Sequence, residues 1–184
     1  MNVLETGLPG VLLIEPRVHA DVRGAFFELY RADAYAALSA GAFVQDNVSV
    51  SRRGVVRGLH FQHPRGQAKL VQTLRGEVFD VAVDVRRGSP TFGRATWATL
   101  DDESCRQVFI PAGFAHGFLV TSEEAVVLYK CTDYYAPECE RSIRWNDPSL
   151  AIPWPRGAPL LSPRDECAPL LAELALDLLP RFER

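Results

Sequence analysis

The sequence predicts an all-β sandwich or barrel, and three observations carry that reading. From residue 11 to about 135, short apolar runs of strand length follow one another, rich in Val, Phe and Tyr. Gly, Pro, Asn and Asp punctuate them where the chain must turn. In EVFDVAVDVR apolar and polar residues alternate, which is the period of a strand with one face in a core. The 184 residues suffice for one core and are short for two, so residues 1–184 are expected to form a single domain, with an arm and helix from about residue 145.

The elements are justified in chain order. VLLIEP is an N-terminal strand able to pair across subunits, and GAFFELY follows it. RADAYAALSAG, residues 31–41, is Ala-rich and ends on Gly41, which suits a short helix with a glycine C-cap. VVRGLHF, KLVQTL, EVFDVAVDVR, RATWATL, RQVFIPAG, HGFLVTS and AVVLYKCTDYY are the remaining strands. In EVFDVAVDVR, Phe79, Val81, Val83 and Val85 form the expected buried face, and Asp80, Asp84 and Arg86 the polar one. WNDPSLAIPWPRGAPLLSPRD is too proline-rich for a central strand and is expected to lie across the sheets as an irregular arm. DECAPLLAELALDLLPRF, residues 165–182, spaces Leu170, Leu171, Leu174 and Leu178 as a C-terminal helix would.

Composition excludes several function classes. The net charge is −3 and no run of Lys and Arg exceeds two residues, which argues against nucleic acid or an anionic membrane as partner. The N-terminal stretch lacks the basic start and apolar run of a signal peptide, and no apolar stretch reaches the roughly 20 residues that span a bilayer. A cytoplasmic protein is expected, with Cys105, Cys131, Cys139 and Cys167 as thiols, since none forms a CxxC pair.

One stretch resists a purely structural reading. RGLHFQHPRGQAKL, residues 57–70, places two histidines, two arginines and a lysine in strand-like surroundings. Arg57, His60, Lys69, His116 and Tyr129 all have apolar flanks, where unpaired charge is costly, and an anionic ligand would serve them jointly. By parity His60 shares a face with Gln62, Gln45 with Asn47, and Tyr129 with Val127 and Cys131, which suits a pocket lined by inward polar residues. Arg57 and His60 fall on opposite faces of an ideal strand; a bulge at Gly58 would bring both to one ligand.

PAGFAH, residues 111–116, has the PxGxxH form of the second cupin motif, and HFQ at His60 stands where the first would carry HxH. Gln62 occupies the second histidine position, Gln67 lies near the glutamate position and Lys69 is adjacent, so no catalytic metal is expected. A narrower resemblance covers nearly the whole chain. DVRGAFFELY, FVQDNVSVS, RGLHFQ, QAKLV, GEVFDVAVDVRRGSPTFG, IPAGFAHGF, YKCTDYY, WNDPSLAIPW and LSPRD occur in the order of the dTDP-4-dehydrorhamnose 3,5-epimerases. That resemblance implies a metal-free cupin-type jelly-roll barrel with short peripheral helices and a homodimer. It also implies a dTDP-4-keto-6-deoxy sugar as substrate.

The resemblance further implies roles. His60 is the base, oriented by Asp165. Tyr129 is the proton donor, and Lys69 is the cation for the enolate oxygen, expected also to favour ionisation of a nearby tyrosine. Arg23 and Arg57 match arginines around the diphosphate and sugar, and Tyr135 an aromatic that stacks on thymine. Glu28, Gln45, Asp46, Asn47, His116, Glu140 and Arg164 match other substrate-contacting positions. No redox cofactor is expected, because no hydride is exchanged and no GxGxxG stretch is present. The alternatives are a mono-epimerase acting at C3 or C5 alone, a 3,4-ketoisomerase, and a cupin that binds a nucleotide sugar without turning it over.

Overall fold

The structure, a computed structural model, describes residues 1–38 and 41–182. Two antiparallel sheets face each other. One has six strands in the order β1 (Asn2–Glu5), β2 (Leu12–Glu15), β10 (Gln107–Ile110), β7 (Lys69–Arg75), β12 (Glu124–Cys131) and β5 (Gln45–Arg52). The other has five, β13 (Glu140–Ser142), β6 (Val56–Gln62), β11 (Phe114–Val120), β8 (Glu77–Asp84) and β9 (Ala95–Asp101). A separate hairpin joins β3 (Val18–Asp21) to β4 (Gly24–Phe27). The two sheets form a jelly-roll sandwich and not a closed ring. Four strands escape the list of expected ones: β1 and β13 at the sheet edges, β5, whose VQDNVSVS run is largely polar, and β3, which pairs with the start of GAFFELY.

Inward side chains of both sheets meet in one core, with Val71, Val108, Ile110 and Val127 facing Val78, Leu100, Phe114 and Phe118. A second cluster shows what the apolar face of EVFDVAVDVR is buried against. Val81, Val83 and Val85 are buried as expected, not in the inter-sheet core but under Ile143 and, from the C-terminal arm, Leu150, Leu171 and Leu179. The polar face points into the sandwich, where Asp80 and Asp84 are buried too. Both faces of this strand are covered, so alternation here separates two interiors and not interior from water.

The arm is irregular, as its prolines require. Trp154 stacks edge-on against Phe79 and Trp145, with ring centroids 5.6 Å away in each case, and its indole N–H donates to the Trp145 carbonyl at 2.8 Å. Leu160 then hydrogen-bonds backbone to backbone with Gly54 and Val56, which fixes the arm beside β6. From there the short helix α2 (Pro163–Glu166) starts with Ser162 as N-cap and proline in its first turn.

The expected C-terminal helix over 165–182 does not form. Helix α2 stops at Glu166, and two 3₁₀ turns, Leu171–Glu173 and Leu176–Leu178, follow. Pro169 withholds a backbone donor and disfavours helix at Ala168. The buried Asp147 carboxylate then takes the Leu171 N–H at 2.7 Å, so this amide serves the arm and not a helix. Near the other end α1 is a single turn, Ala32–Tyr35, whose Tyr35 packs on the outer face of the six-stranded sheet. Gly41 does not cap it, and residues 39 and 40 of that expected span lie outside the described residues.

Candidate active site

The bulge expected at Gly58 is present and decides the site. On β6 and β11, His60 pairs with His116, while Phe118 pairs with Arg57, so three steps on one strand match two on the other. The extra residue turns Arg57 onto the same face as His60. Gly58 has φ +129°, and a Cβ there would lie 2.5 Å from Gly117 Cα and 2.8 Å from the His116 carbonyl oxygen. Only glycine fits.

Between the sheets opens a cavity of about 850 Å³. His60, His116 and Arg57 reach it from the five-stranded sheet, and Lys69 and Tyr129 from the six-stranded one. A flat ligand held between them therefore presents one face to His60 and the other to Tyr129.

His60 Nε2 lies 2.5 Å from Asp165 Oδ1, brought there by α2. Burial would raise the Asp165 carboxyl, but hydrogen bonds from His60 and Ser162, together with the charges of His60 and Arg164, hold it below the ordinary aspartate range. An ionised carboxylate only accepts, so Nε2 carries the proton and Nδ1 is the nitrogen left for a substrate.

Tyr129 and Lys69 form no hydrogen bond or ion pair to other side chains among the described residues, so both are available to a ligand. Burial raises the Tyr129 phenol above its usual range, with Cys131 and Glu140 adding to that and Arg57 opposing it. Burial outweighs the charge of Arg57, which favours ionisation, so the Tyr129 phenol stays above its usual range. Lys69 sits half-buried, its ammonium desolvated by the protein around the cavity, which lowers its pKa against the attraction of Cys131, Glu140 and Asp80.

At the cavity mouth Glu140 accepts from the Tyr135 hydroxyl at 2.7 Å and from the Arg164 guanidinium. Gln45 accepts the Tyr135 N–H at 2.8 Å and donates to Asn47 Oδ1 at 3.0 Å. Arg57 donates to Ser51 at 3.0 Å. Three expected residues lie elsewhere. Arg23 and Glu28 are exposed, the first in the turn of the β3–β4 hairpin paired with Asp21, the second just after β4 and paired with Arg31. Asp46 faces outward on β5 against Lys130.

Sequence reading missed residues in and behind the lining. Asp80, behind it, accepts from His116 Nε2 at 2.8 Å; the sequence put it on the polar face of its strand without showing that this face meets the second sheet. Cys131 lines the cavity beside Tyr129, as strand parity expects, whereas Ser162 carried no sequence signal beyond its neighbour Asp165. Gln62, standing at the metal-ligand position of other cupins, is spent on structure: its side chain binds the Ala136 N–H at 2.8 Å and the Arg65 carbonyl at 2.9 Å. Among the described residues no three His, Cys, Asp or Glu side chains gather as a metal centre.

Known proteins resemble the chain over nearly its whole length. The family model described as dTDP-4-dehydrorhamnose 3,5-epimerase matches residues 5–173. A dTDP-4-dehydrorhamnose 3,5-epimerase of Pseudomonas aeruginosa is 56% identical over 168 residues, 90% of this chain and 93% of that protein. A Legionella pneumophila 3,5-epimerase crystallised with dTDP-4-keto-L-rhamnose is 50% identical with a TM-score of 0.97, covering 100% of this chain and 99% of that one. A dTDP-4-dehydrorhamnose 3-epimerase of Streptomyces niveus is 47% identical, covering 99% of this chain and 90% of that protein.

Proposed function

Because the chain belongs to the dTDP-4-dehydrorhamnose 3,5-epimerase family, we propose that it converts dTDP-4-dehydro-6-deoxy-α-D-glucose to dTDP-4-dehydro-β-L-rhamnose by proton transfer at C3 and C5. The observation that carries the reading is the placement of His60, held by Asp165, and Tyr129 on facing sheets of one cavity, with Lys69 on the sheet of Tyr129 and, among the described residues, without a side-chain hydrogen-bond partner. The C4 ketone acidifies the protons on both neighbouring carbons. His60 Nδ1 takes a proton from one face, and the negative charge collects on the C4 oxygen beside Lys69, where a desolvated ammonium acts strongly. Tyr129, kept protonated by burial, returns a proton to the opposite face, and the configuration inverts.

Arg57 suits a phosphate oxygen, and Tyr135 at the mouth offers its ring to the base. Arg23 and Glu28 complete the site only if they belong to another copy. The exposed β3–β4 hairpin of one protomer, with Phe26 at 73% exposure, then reaches the cavity of its partner in a homodimer. Four free thiols, three of them buried, suit a reducing cytoplasm, and among the described residues no helix is long and apolar enough to cross a membrane.

Incubation with dTDP-4-keto-6-deoxyglucose in D₂O, followed by proton NMR, tests the reading. Deuterium at C3 and C5 with both centres inverted is expected. Inversion at one carbon alone would make the chain a mono-epimerase like its Streptomyces niveus relative. Binding without exchange would leave a nucleotide-sugar-binding cupin.

A further inference from the structure

The cavity holds two histidine–carboxylate pairs, and only one is used above. His116 lies directly opposite His60 across β6 and β11, on the same face of the sheet. Its Nε2 lies 2.8 Å from Asp80 Oδ2; the His116 side chain is 7% exposed and that of Asp80 2%. A carboxylate accepts, so Asp80 fixes the imidazole with Nε2–H toward itself and Nδ1 as the nitrogen available to a ligand. No other hydrogen bond holds either side chain among the described residues, so Asp80 alone sets the ring's tautomer.

We propose that Asp80 is a positioning residue, the buried carboxylate that presents His116 Nδ1 to the sugar and supplies the counter-charge for Lys69 across the cavity. The proposal rests on the reading that the cavity works on a keto sugar. A desolvated lysine next to two imidazoles loses its proton readily, and then it cannot stabilise an enolate. Three anionic or ionisable groups oppose that loss, one from each of three strands: Cys131 directly opposite on β12, Glu140 on β13 and Asp80 on β8. On the remaining neighbour, β10, the residue paired with Lys69 is Ile110, which brings no charge. The Cys131 thiol is pushed up by burial and Glu140 also holds Tyr135 and Arg164, whereas the one side-chain partner of Asp80 among the described residues is His116, so Asp80 adds a buried counter-charge beside that of Glu140.

Asp80→Asn removes the charge and keeps the shape. In this variant kcat with the keto sugar should fall about 10- to 100-fold with KM within about threefold. The alkaline limb of kcat should move to lower pH, because a lysine that has lost its counter-charge deprotonates earlier. Asp80→Glu, which keeps the charge, should hold the alkaline limb near the wild-type position even where misplacement lowers kcat. Independently of turnover, nitrogen-15 NMR of the imidazoles should show His116 as the Nε2–H tautomer in wild type, and lose that preference in Asp80→Asn. An unchanged His116 tautomer, or an unmoved alkaline limb in a folded Asp80→Asn protein, would overturn the proposal. A tautomer change in a protein whose wild type leaves the keto sugar untouched would uphold the positioning by Asp80 and sink the epimerase reading instead.

Discussion

At the residue scale, the two walls of the cavity make separable predictions. His60→Ala removes the proposed base, so exchange at both C3 and C5 should fall by about 10²–10⁴-fold. Tyr129→Phe keeps the base and the cation and loses the donor. Solvent deuterium should still enter the sugar at a rate within about tenfold of wild type, while inverted product falls by about 10²-fold or more. Wild-type exchange in His60→Ala, or wild-type product in Tyr129→Phe, would remove the corresponding role. The residues whose chemistry is singular were legible in the sequence: two histidines, a lysine and a tyrosine among apolar strands need a reason to be there. Asp80 was not, because a carboxylate alternating with valines looks the same in sequence whether its face meets water or a second sheet. Nor was the electrostatic pairing of Tyr129 with Arg57, which depends on the one-residue shift between β6 and β11.

At the element scale, that shift is concentrated in one glycine. Gly58→Ala adds a methyl group where Gly117 Cα and the His116 carbonyl already stand, at a φ that L side chains avoid. The backbone cannot yield as a flexible side chain would, so the substitution should cost about 2–3 kcal/mol of stability and, by moving β6 off β11, most of the activity. A thermal melt and a turnover assay on the same sample read both; a Gly58→Ala protein with wild-type melting and activity would show that the bulge tolerates a Cβ. A second element-level device is the Asp84 carboxylate at the end of β8. It takes the Arg86 guanidinium at 2.7 and 2.9 Å, and the hydroxyls of Ser89 and Thr91 at 2.6 Å each, which closes the turn leading to β9. Burial would raise this carboxyl, but those donors hold it below the ordinary aspartate range. A lowered carboxylate pKa contributes stability that is present above the unfolded value and lost as pH falls through the folded one. Denaturant unfolding should therefore show wild type losing its advantage over Asp84→Asn as pH drops below about 4, and an advantage of about 3–5 kcal/mol at neutral pH. An advantage independent of pH would mean that shape and not charge holds the turn. Strand positions could be read from the sequence because β-branched and aromatic runs mark them; the C-terminal leucines misled because helical spacing says nothing of a proline upstream or of a buried aspartate that captures the first amide.

At the scale of the whole molecule, the site of a single chain is incomplete relative to the residues that the family resemblance assigns to it. Arg57, Lys69, Tyr135 and Glu140 line the cavity, whereas the Arg23 side chain is 86% exposed on a hairpin whose strands, among the described residues, pair only with each other. That hairpin also exposes Val18, Val22 and Phe26, an apolar group rarely left in water on so small an element. A composite site makes a prediction that no single-chain site shares. Arg23→Ala should raise KM for the dTDP sugar by about 10-fold with little change in kcat, since a phosphate contact is made equally before and during reaction. His60→Ala should lose kcat. If the hairpin serves the partner's cavity, mixing the two impaired variants after reversible dissociation creates dimers in which one cavity has both an intact His60 and an intact Arg23. At substrate concentrations far below KM, activity should then rise toward about a quarter of the wild-type value, the share of such cavities in a statistical mixture. Sedimentation on the same sample confirms the dimer. A mixture that stays at the average of its two components would place Arg23 and His60 in the same subunit's site, and would leave the exposed hairpin without a role in binding.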